Sequence, residues 1–281
     1  MEIIEFANLK DFNIVHTLEC GQCFRWKKEE DGSYTGVIKD GIINISHDEN
    51  NKTILKCELN GDFNKCIEEY FDLNRDYSNI KEKISVDDSN MIEAIKYGYG
   101  IRILHQDSWE MLISYIISAA NNIPRISKTI ENISKAYGKK VMFEDKEYYL
   151  FPTPEELGKA SVEDLRSLNL GFRDKYVYSA TRAVLDGKIN LKEIENMTYK
   201  EAKKELMKLD GVGAKVADCI LLFSMNKVEA FPIDTWIKKV MINLYNTKEN
   251  LKDIEKCALE RFGEYAGIAQ QYLFYYMREN S

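Results

Sequence analysis

Two side chains in this chain are placed to do chemistry on carbon. Lys215 follows the run Leu209-Asp210-Gly211-Val212-Gly213-Ala214, and Asp234 stands nineteen residues beyond it in Phe231-Pro232-Ile233-Asp234-Thr235-Trp236. An uncharged primary amine is a nucleophile, and an ionised carboxylate stabilises positive charge developing on the atom attacked. Lys215 falls in the first turn of a predicted helix, where the positive end of the helix dipole opposes an ammonium. With partial burial, that setting favours the neutral amine. The same lysine also reads as an ordinary solvated side chain. Asp234 is suited to cap the helix starting at Thr235, and the apolar Phe-Pro-Ile before it shelters the carboxylate. Capping and charge stabilisation are compatible.

The elements that must hold these groups are also readable. Tyr199–Lys208 is amphipathic and a second helix is predicted from Ala214, so Gly211-Val212-Gly213 joins two helices. Gly211 permits the positive φ of a sharp reversal. Gly213 removes a side chain where the backbone would approach a neighbour, and Val212 fits the groove between the helices. The second helix then starts with unpaired N–H groups facing outward, which is an anion site. A plain turn between helices has the same pattern. The point matters because the net charge is −7, with 39 Lys and Arg against 46 Asp and Glu. Such a chain has no general basic coat for nucleic acid, so phosphate contacts must come from backbone amides and a few local lysines.

The chain changes character near residue 88, which predicts domains over 1–88 and 89–281. Tyr34–Lys39 and Ile42–Ser46 flank Asp40-Gly41, a hairpin turn dipeptide. Thr53–Leu59 alternates as a third strand and stops at Asn60-Gly61, and a helix follows from Asp62 to about Phe71. Beyond residue 88 nearly everything reads as helix. Asp107 with Glu110 starts the apolar helix ending near Asn121, Pro124 opens the next, and Gly138 closes it. Further starts fall at Thr153, Ser161, Asp174, Thr198, Asp234, Asn250 and Glu264. The expected fold is mostly α, with an N-terminal α+β domain built on an antiparallel twisted sheet and followed by a helix-hairpin-helix helical domain.

Composition excludes several classes. Hydrophobic residues at 44% and charged residues at 30% describe a soluble globular protein. No apolar run reaches the roughly 18–20 residues that cross a bilayer. Met1-Glu2-Ile3-Ile4-Glu5 lacks the basic start of a signal peptide, so a cytoplasmic protein is expected. Abundant Ile, Lys and Asn suit a prokaryote with an A+T-rich genome. Cys20 and Cys23 form one CxxC without a second pair, and the three histidines are scattered. No metal, iron–sulfur centre or organic cofactor is expected.

Together the hairpin, Lys215 and the Pro-x-Asp resemble bifunctional DNA glycosylases of the helix-hairpin-helix superfamily. Longer runs narrow the resemblance to the 8-oxoguanine DNA glycosylases. These are Gly211-Val212-Gly213-Ala214-Lys215-Val216-Ala217-Asp218-Cys219, Gly21-Gln22-Cys23-Phe24-Arg25-Trp26, His105-Gln106-Asp107, Asn121-Asn122-Ile123 with Arg125, Leu170-Gly171-Phe172-Arg173, and Ala269-Gln270 with Phe274. They span residues 21 to 274 in the family's order.

The resemblance implies a DNA N-glycosylase with apurinic-site lyase activity, acting as a monomer on double-stranded DNA containing 8-oxoguanine. It implies that Lys215 is the nucleophile and Asp234 the stabilising carboxylate. Gly21 would accept the N7–H of the oxidised base, and Gln270 would read its Watson–Crick edge. Phe274 and Cys219 would sandwich the ring, with Pro232 at the same pocket. Arg125 and Arg173 would grip the opposite cytosine, Phe172 would fill the vacated stack, and Asn121, Gly211, Val212 and Gly213 would face DNA. Three departures stand out: Ala120 replaces an asparagine, Trp236 a histidine, and Met277 an acidic residue. Ala120 leads us to expect a looser choice of opposite base. A glycosylase for other lesions and a non-catalytic helix-hairpin-helix DNA-binding protein are the alternatives; Lys215 argues against monofunctional relatives and Asp234 against the second.

Overall fold

The computed structural model describes residues 2–6, 9–48, 52–58 and 62–279. The N-terminal part is a five-stranded antiparallel sheet of β1 (Glu2–Phe6), β2 (Trp26–Lys28), β3 (Tyr34–Ile38), β4 (Gly41–His47) and β5 (Thr53–Glu58), in the order β1-β5-β4-β3-β2. Period-two alternation puts Thr53, Leu55 and Cys57 of β5 inward. With Tyr34, Ile43 and Ile45, Leu55 and Cys57 pack on Ile14 and Leu18 of one helix and Phe63 and Ile67 of another. Asp62 caps the second of these, Phe63–Tyr70, as expected.

Two details differ from the sequence reading. Ile38 pairs with Gly41, so the β3–β4 turn is Lys39-Asp40, one residue earlier than Asp40-Gly41. Pairing Val37 with Ile42 on the covered outer face sets that register, and it outweighs the preference of the turn dipeptide. Asn60-Gly61 lies outside the described residues. A hairpin of β6 (Lys140–Phe143) and β7 (Lys146–Tyr149), not read from the sequence, interrupts the mostly helical part. Its two-residue turn, Glu144-Asp145, has positive φ at both positions, and Phe143 reaches Val37 and Ile42 on the sheet's outer face.

The helical body is organised around Ser108–Ser118, buried from Trp109 to Ile117. It packs against Ala214–Ser224 and shares one core with the last helix, Ala266–Glu279. Predicted caps are present: Asp107 accepts from the Glu110 N–H, and Thr153, Ser161 and Thr198 form capping boxes. The helix Tyr77–Ile84, although before residue 88, buries Tyr77, Ile80 and Ile84 in this helical core. Cys20 and Phe24 join the same core, while Cys23 belongs to the sheet's.

The turn between them is held by Gln22, which is wholly buried. Its Nε2 donates to the carbonyls of Thr17 and Arg102, both at 2.8 Å, and its Oε1 accepts from Leu104 N–H at 2.9 Å. Its carbonyl accepts from Gln106 Nε2 and the Tyr115 hydroxyl. Gln22 therefore fixes the Gly21 turn to the central helix. Among the described residues, no helix is long and apolar enough to cross a membrane.

Candidate active site

The hairpin forms as its glycines predict. Tyr199–Leu206 is followed by Gly211 at φ +82, where a Cβ would lie 2.7 Å from the Tyr176 ring. Val212 is buried, and Gly213 caps Ala214–Ser224 without a side-chain oxygen. The first-turn amides therefore have no side-chain cap, a setting suited to an anion. The two helices are locked by Asp218, which accepts from Tyr199 Oη and Lys203 Nζ, each at 2.8 Å. Burial pushes the Asp218 carboxyl up to about 6, against the pull of Lys203.

Lys215 lies in the first turn, half-buried, with Nζ 5.6 Å from the centre of the Tyr115 ring. Tyr115 is itself buried, stacked on Phe223 at 5.8 Å and meeting Phe24 edge-on at 5.5 Å. An aromatic floor thus lies beneath the amine. Cys219, one turn further, is buried, and burial pushes its thiol up to about 11 while Lys215 pulls it down. Asp234 caps Thr235–Tyr245, its Oδ1 accepting from Ile237 N–H at 2.8 Å. Phe231 and Pro232 are buried beneath it.

These groups face one cleft of about 770 Å³, lined by Lys215, Cys219, Pro232 and Asp234 on one side. Gly21, Asn121, Gln270 and Phe274 also line it, brought in from three other segments. Gly21 takes φ +90, and a Cβ there would lie 3.2 Å from Phe274 Cε1. Gln270 and Phe274 are four apart on the last helix and share a face. Gln270 is buried, and its Oε1 has no protein partner. An orphaned acceptor on a cleft is an unused recognition group.

The remaining candidates stand at or beyond the rim. Phe172 is 60% exposed, its ring 4.4 Å under the Arg173 guanidinium. Arg173 is buried, donating from Nε to the Ala119 carbonyl at 2.7 Å and from Nη2 to the Ala120 carbonyl at 2.8 Å. Helix ends leave such carbonyls unpaired, and Arg173 satisfies them. Burial, then the nearby charge of Arg125, holds the Arg173 guanidinium below its usual range. Arg125 is exposed. Ala120 lies at φ +48, a conformation asparagine tolerates better than alanine. Gly211, Val212 and Gly213 are not among the residues that line the cleft.

Tyr115, Phe24 and Arg278 also line the cleft and were not among the candidates read from sequence. Tyr115 lay in an apolar run where an aromatic reads as core. Arg278, four residues past Phe274, carried the periodicity signal that could have found it.

A two-helix clamp opening on a lysine-and-carboxylate cleft defines the base-excision class of helix-hairpin-helix proteins. In agreement, residues 113–264 match the HhH-GPD superfamily of base excision DNA repair proteins, and residues 5–112 match the 8-oxoguanine DNA glycosylase N-terminal domain. A probable N-glycosylase/DNA lyase of Methanothermobacter thermautotrophicus is 30% identical over 96% of this chain and 95% of its own. An N-glycosylase/DNA lyase of Saccharomyces cerevisiae is 28% identical over 95% of this chain and 84% of its own. The Clostridium acetobutylicum 8-oxoguanine glycosylase/lyase, solved with double-stranded DNA containing cytosine opposite 8-oxoguanine, superposes with a TM-score of 0.92 at 42% identity, covering 96% of this chain and 93% of that one. The chain belongs to the 8-oxoguanine DNA glycosylase family of the HhH-GPD superfamily.

Proposed function

We propose that this protein excises 8-oxoguanine from duplex DNA and then cleaves the strand at the resulting abasic site. The observation that carries the reading is the convergence of Lys215, Asp234, Gly21, Gln270 and Phe274, from four separate segments, on one cleft large enough for a purine nucleotide. A glycosidic bond is out of reach within the stacked duplex, so the nucleotide must be flipped into that cleft. The outward amides behind Gly213 anchor the backbone phosphates, which an acidic chain can do locally.

In the cleft, Phe274 and Cys219 enclose the ring, with Pro232 against the same pocket. The Gly21 carbonyl accepts the N7–H that only the oxidised base carries, and Gln270 Oε1 accepts from a donor on the guanine Watson–Crick edge. As the C1′–N9 bond breaks, its electron pair leaves with the base, and the Asp234 carboxylate faces the electron-poor sugar. Lys215 Nζ bonds to C1′, and ring opening gives a Schiff base. Loss of the C2′ proton then expels the 3′ phosphate by β-elimination.

Phe172 fills the vacated stack. Arg125 contacts the opposite base directly, whereas Arg173 acts mainly by shaping the Ala119–Ala120 turn, with Asn121 beside it. One cleft serves one flipped nucleotide, so a monomer suffices, and the protein works inside the cell on the nucleoid.

The test is product analysis on duplexes with 8-oxoguanine opposite each of the four bases, beside an undamaged guanine control. Free 8-oxoguanine and a cleaved strand are expected, with the control intact and the preference for cytosine reduced by Ala120. Intact damaged duplex after prolonged incubation would contradict the assignment.

A further inference from the structure

Oxidation changes guanine at two adjacent atoms: N7 gains a hydrogen and C8 gains a carbonyl oxygen. The cleft as described supplies an acceptor for N7–H at Gly21 but no donor for O8. Gln270, Phe274 and Arg278 are each four apart on the last helix, so they form one stripe, and all three line the cleft. Gln270 and Arg278 are separated by about 12 Å along the axis at 1.5 Å per residue. That span takes a purine lying on Phe274 with a hydrogen-bonding group at either edge. The edge beside Arg278 is the one that Gly21 meets.

Arg278 is also fixed in place. Its Nη2 donates to the Glu19 carbonyl at 2.6 Å, and its Nε donates to the Glu279 carboxylate at 2.8 Å. Both anchors leave the third guanidinium nitrogen aside. That nitrogen, Nη1, lies 3.0 Å from the position a Cβ on Gly21 would occupy.

Resting on the reading of this cleft as an 8-oxoguanine pocket, we propose that Arg278 is a specificity-determining residue whose Nη1 donates a hydrogen bond to O8 of the flipped base. Gly21 and Arg278 then form an acceptor–donor pair matched to the N7–H and C8=O of the oxidised ring. Normal guanine opposes that pair at both atoms, with a bare N7 before the carbonyl and a C–H before the guanidinium. A charge-assisted hydrogen bond adds discrimination that the single Gly21 contact lacks.

The experiment measures single-turnover excision opposite cytosine of 8-oxoguanine and of its 8-thio analogue, which keeps N7–H but presents sulfur, a poor acceptor, at C8. Intrinsic reactivity cancels when the oxygen-to-sulfur rate ratio is compared between variants. Arg278→Leu is expected to slow 8-oxoguanine excision about 10- to 100-fold and to lower the ratio about tenfold, with Arg278→Lys recovering part of it. Equal slowing of both substrates would mean that Arg278 only latches the Glu19 turn, and would overturn the proposal. Should the leucine variant fail to fold, Arg278→Met gives the same comparison with an unbranched side chain that has no hydrogen-bond donor. Failure of the unmodified protein to excise 8-oxoguanine would instead overturn the pocket reading, before any variant is compared.

Discussion

The Nζ of Lys215 stands 5.6 Å above the Tyr115 ring, and Gln22 holds that tyrosine's hydroxyl through its backbone carbonyl. The amine and the turn bearing Gly21 are thereby referenced to one side chain of the central helix. The proposed contacts to sugar and base thus come from parts of the chain nearly 200 residues apart, joined through one shared support.

Asp234 caps a helix and, in the proposed mechanism, stabilises charge on the sugar; two substitutions divide these roles. Asp234→Asn keeps an oxygen for the Ile237 N–H, so stability should change by less than about 1 kcal/mol. Excision should nevertheless fall about 10²- to 10³-fold, because the charge is gone. Asp234→Ala should lose about 1 kcal/mol in addition to the activity. Urea melts paired with single-turnover assays check this; full activity in the asparagine variant would reduce Asp234 to a cap.

Gly21→Ala should be damaging on two counts. The backbone is at φ +90, and the new Cβ would meet Arg278 Nη1 at 3.0 Å and Phe274 Cε1 at 3.2 Å. We expect a loss of about 1–3 kcal/mol in a denaturant melt, together with slower excision. An alanine variant as stable and active as the parent would contradict the placement of this turn.

Ala120→Asn should act in the opposite direction. The residue sits at φ +48, and asparagine tolerates that region better, so stability should rise by up to about 1 kcal/mol. On the family resemblance, an asparagine here would also enter the gap beside the opposite base, so preference for cytosine should sharpen. Melting temperatures and the excision ratio across opposite bases measure both effects.

The Arg25–Glu110 pair should give the protein a pH-dependent stability near neutrality. The two groups lie 3.8 Å apart, both nearly inaccessible, with Asp107 close by. Burial outweighs Arg25 and pushes the Glu110 carboxyl up to about 7 from an ordinary 4.5. The folded state therefore binds the proton more tightly than the unfolded state, and stability is lost as pH rises from about 4.5 through 7. Glu110→Gln should match the parent below pH 5 and exceed it above pH 7, by up to about 3 kcal/mol. Melts across that range check the sign; a variant less stable at pH 8 than at pH 5, relative to the parent, would reverse the account.

What the sequence disclosed was mostly local. Gly211, the capping residues Asp107 and Asp234, and the first-turn position of Lys215 are dictated by neighbours within a few positions, and the structure has them as expected. Gln22 was not interpretable, because Arg102 and Leu104, which it clasps, lie some 80 residues away. Arg173 was expected from the resemblance to grip the opposite cytosine, yet the unpaired carbonyls at the end of the central helix draw it inward. The β6–β7 hairpin was hidden because Glu144-Asp145 lacks the usual glycine, and only packing on the sheet makes Phe143 an inward residue.

The measurement closest to the central claim is borohydride reduction during reaction with 8-oxoguanine duplex, followed by peptide mapping of the trapped protein–DNA adduct. The account predicts a covalent adduct on Lys215, absent in Lys215→Gln while that variant still binds the damaged duplex. An adduct mapped to another residue, or strand cleavage by the unmodified protein with nothing trapped, would contradict it.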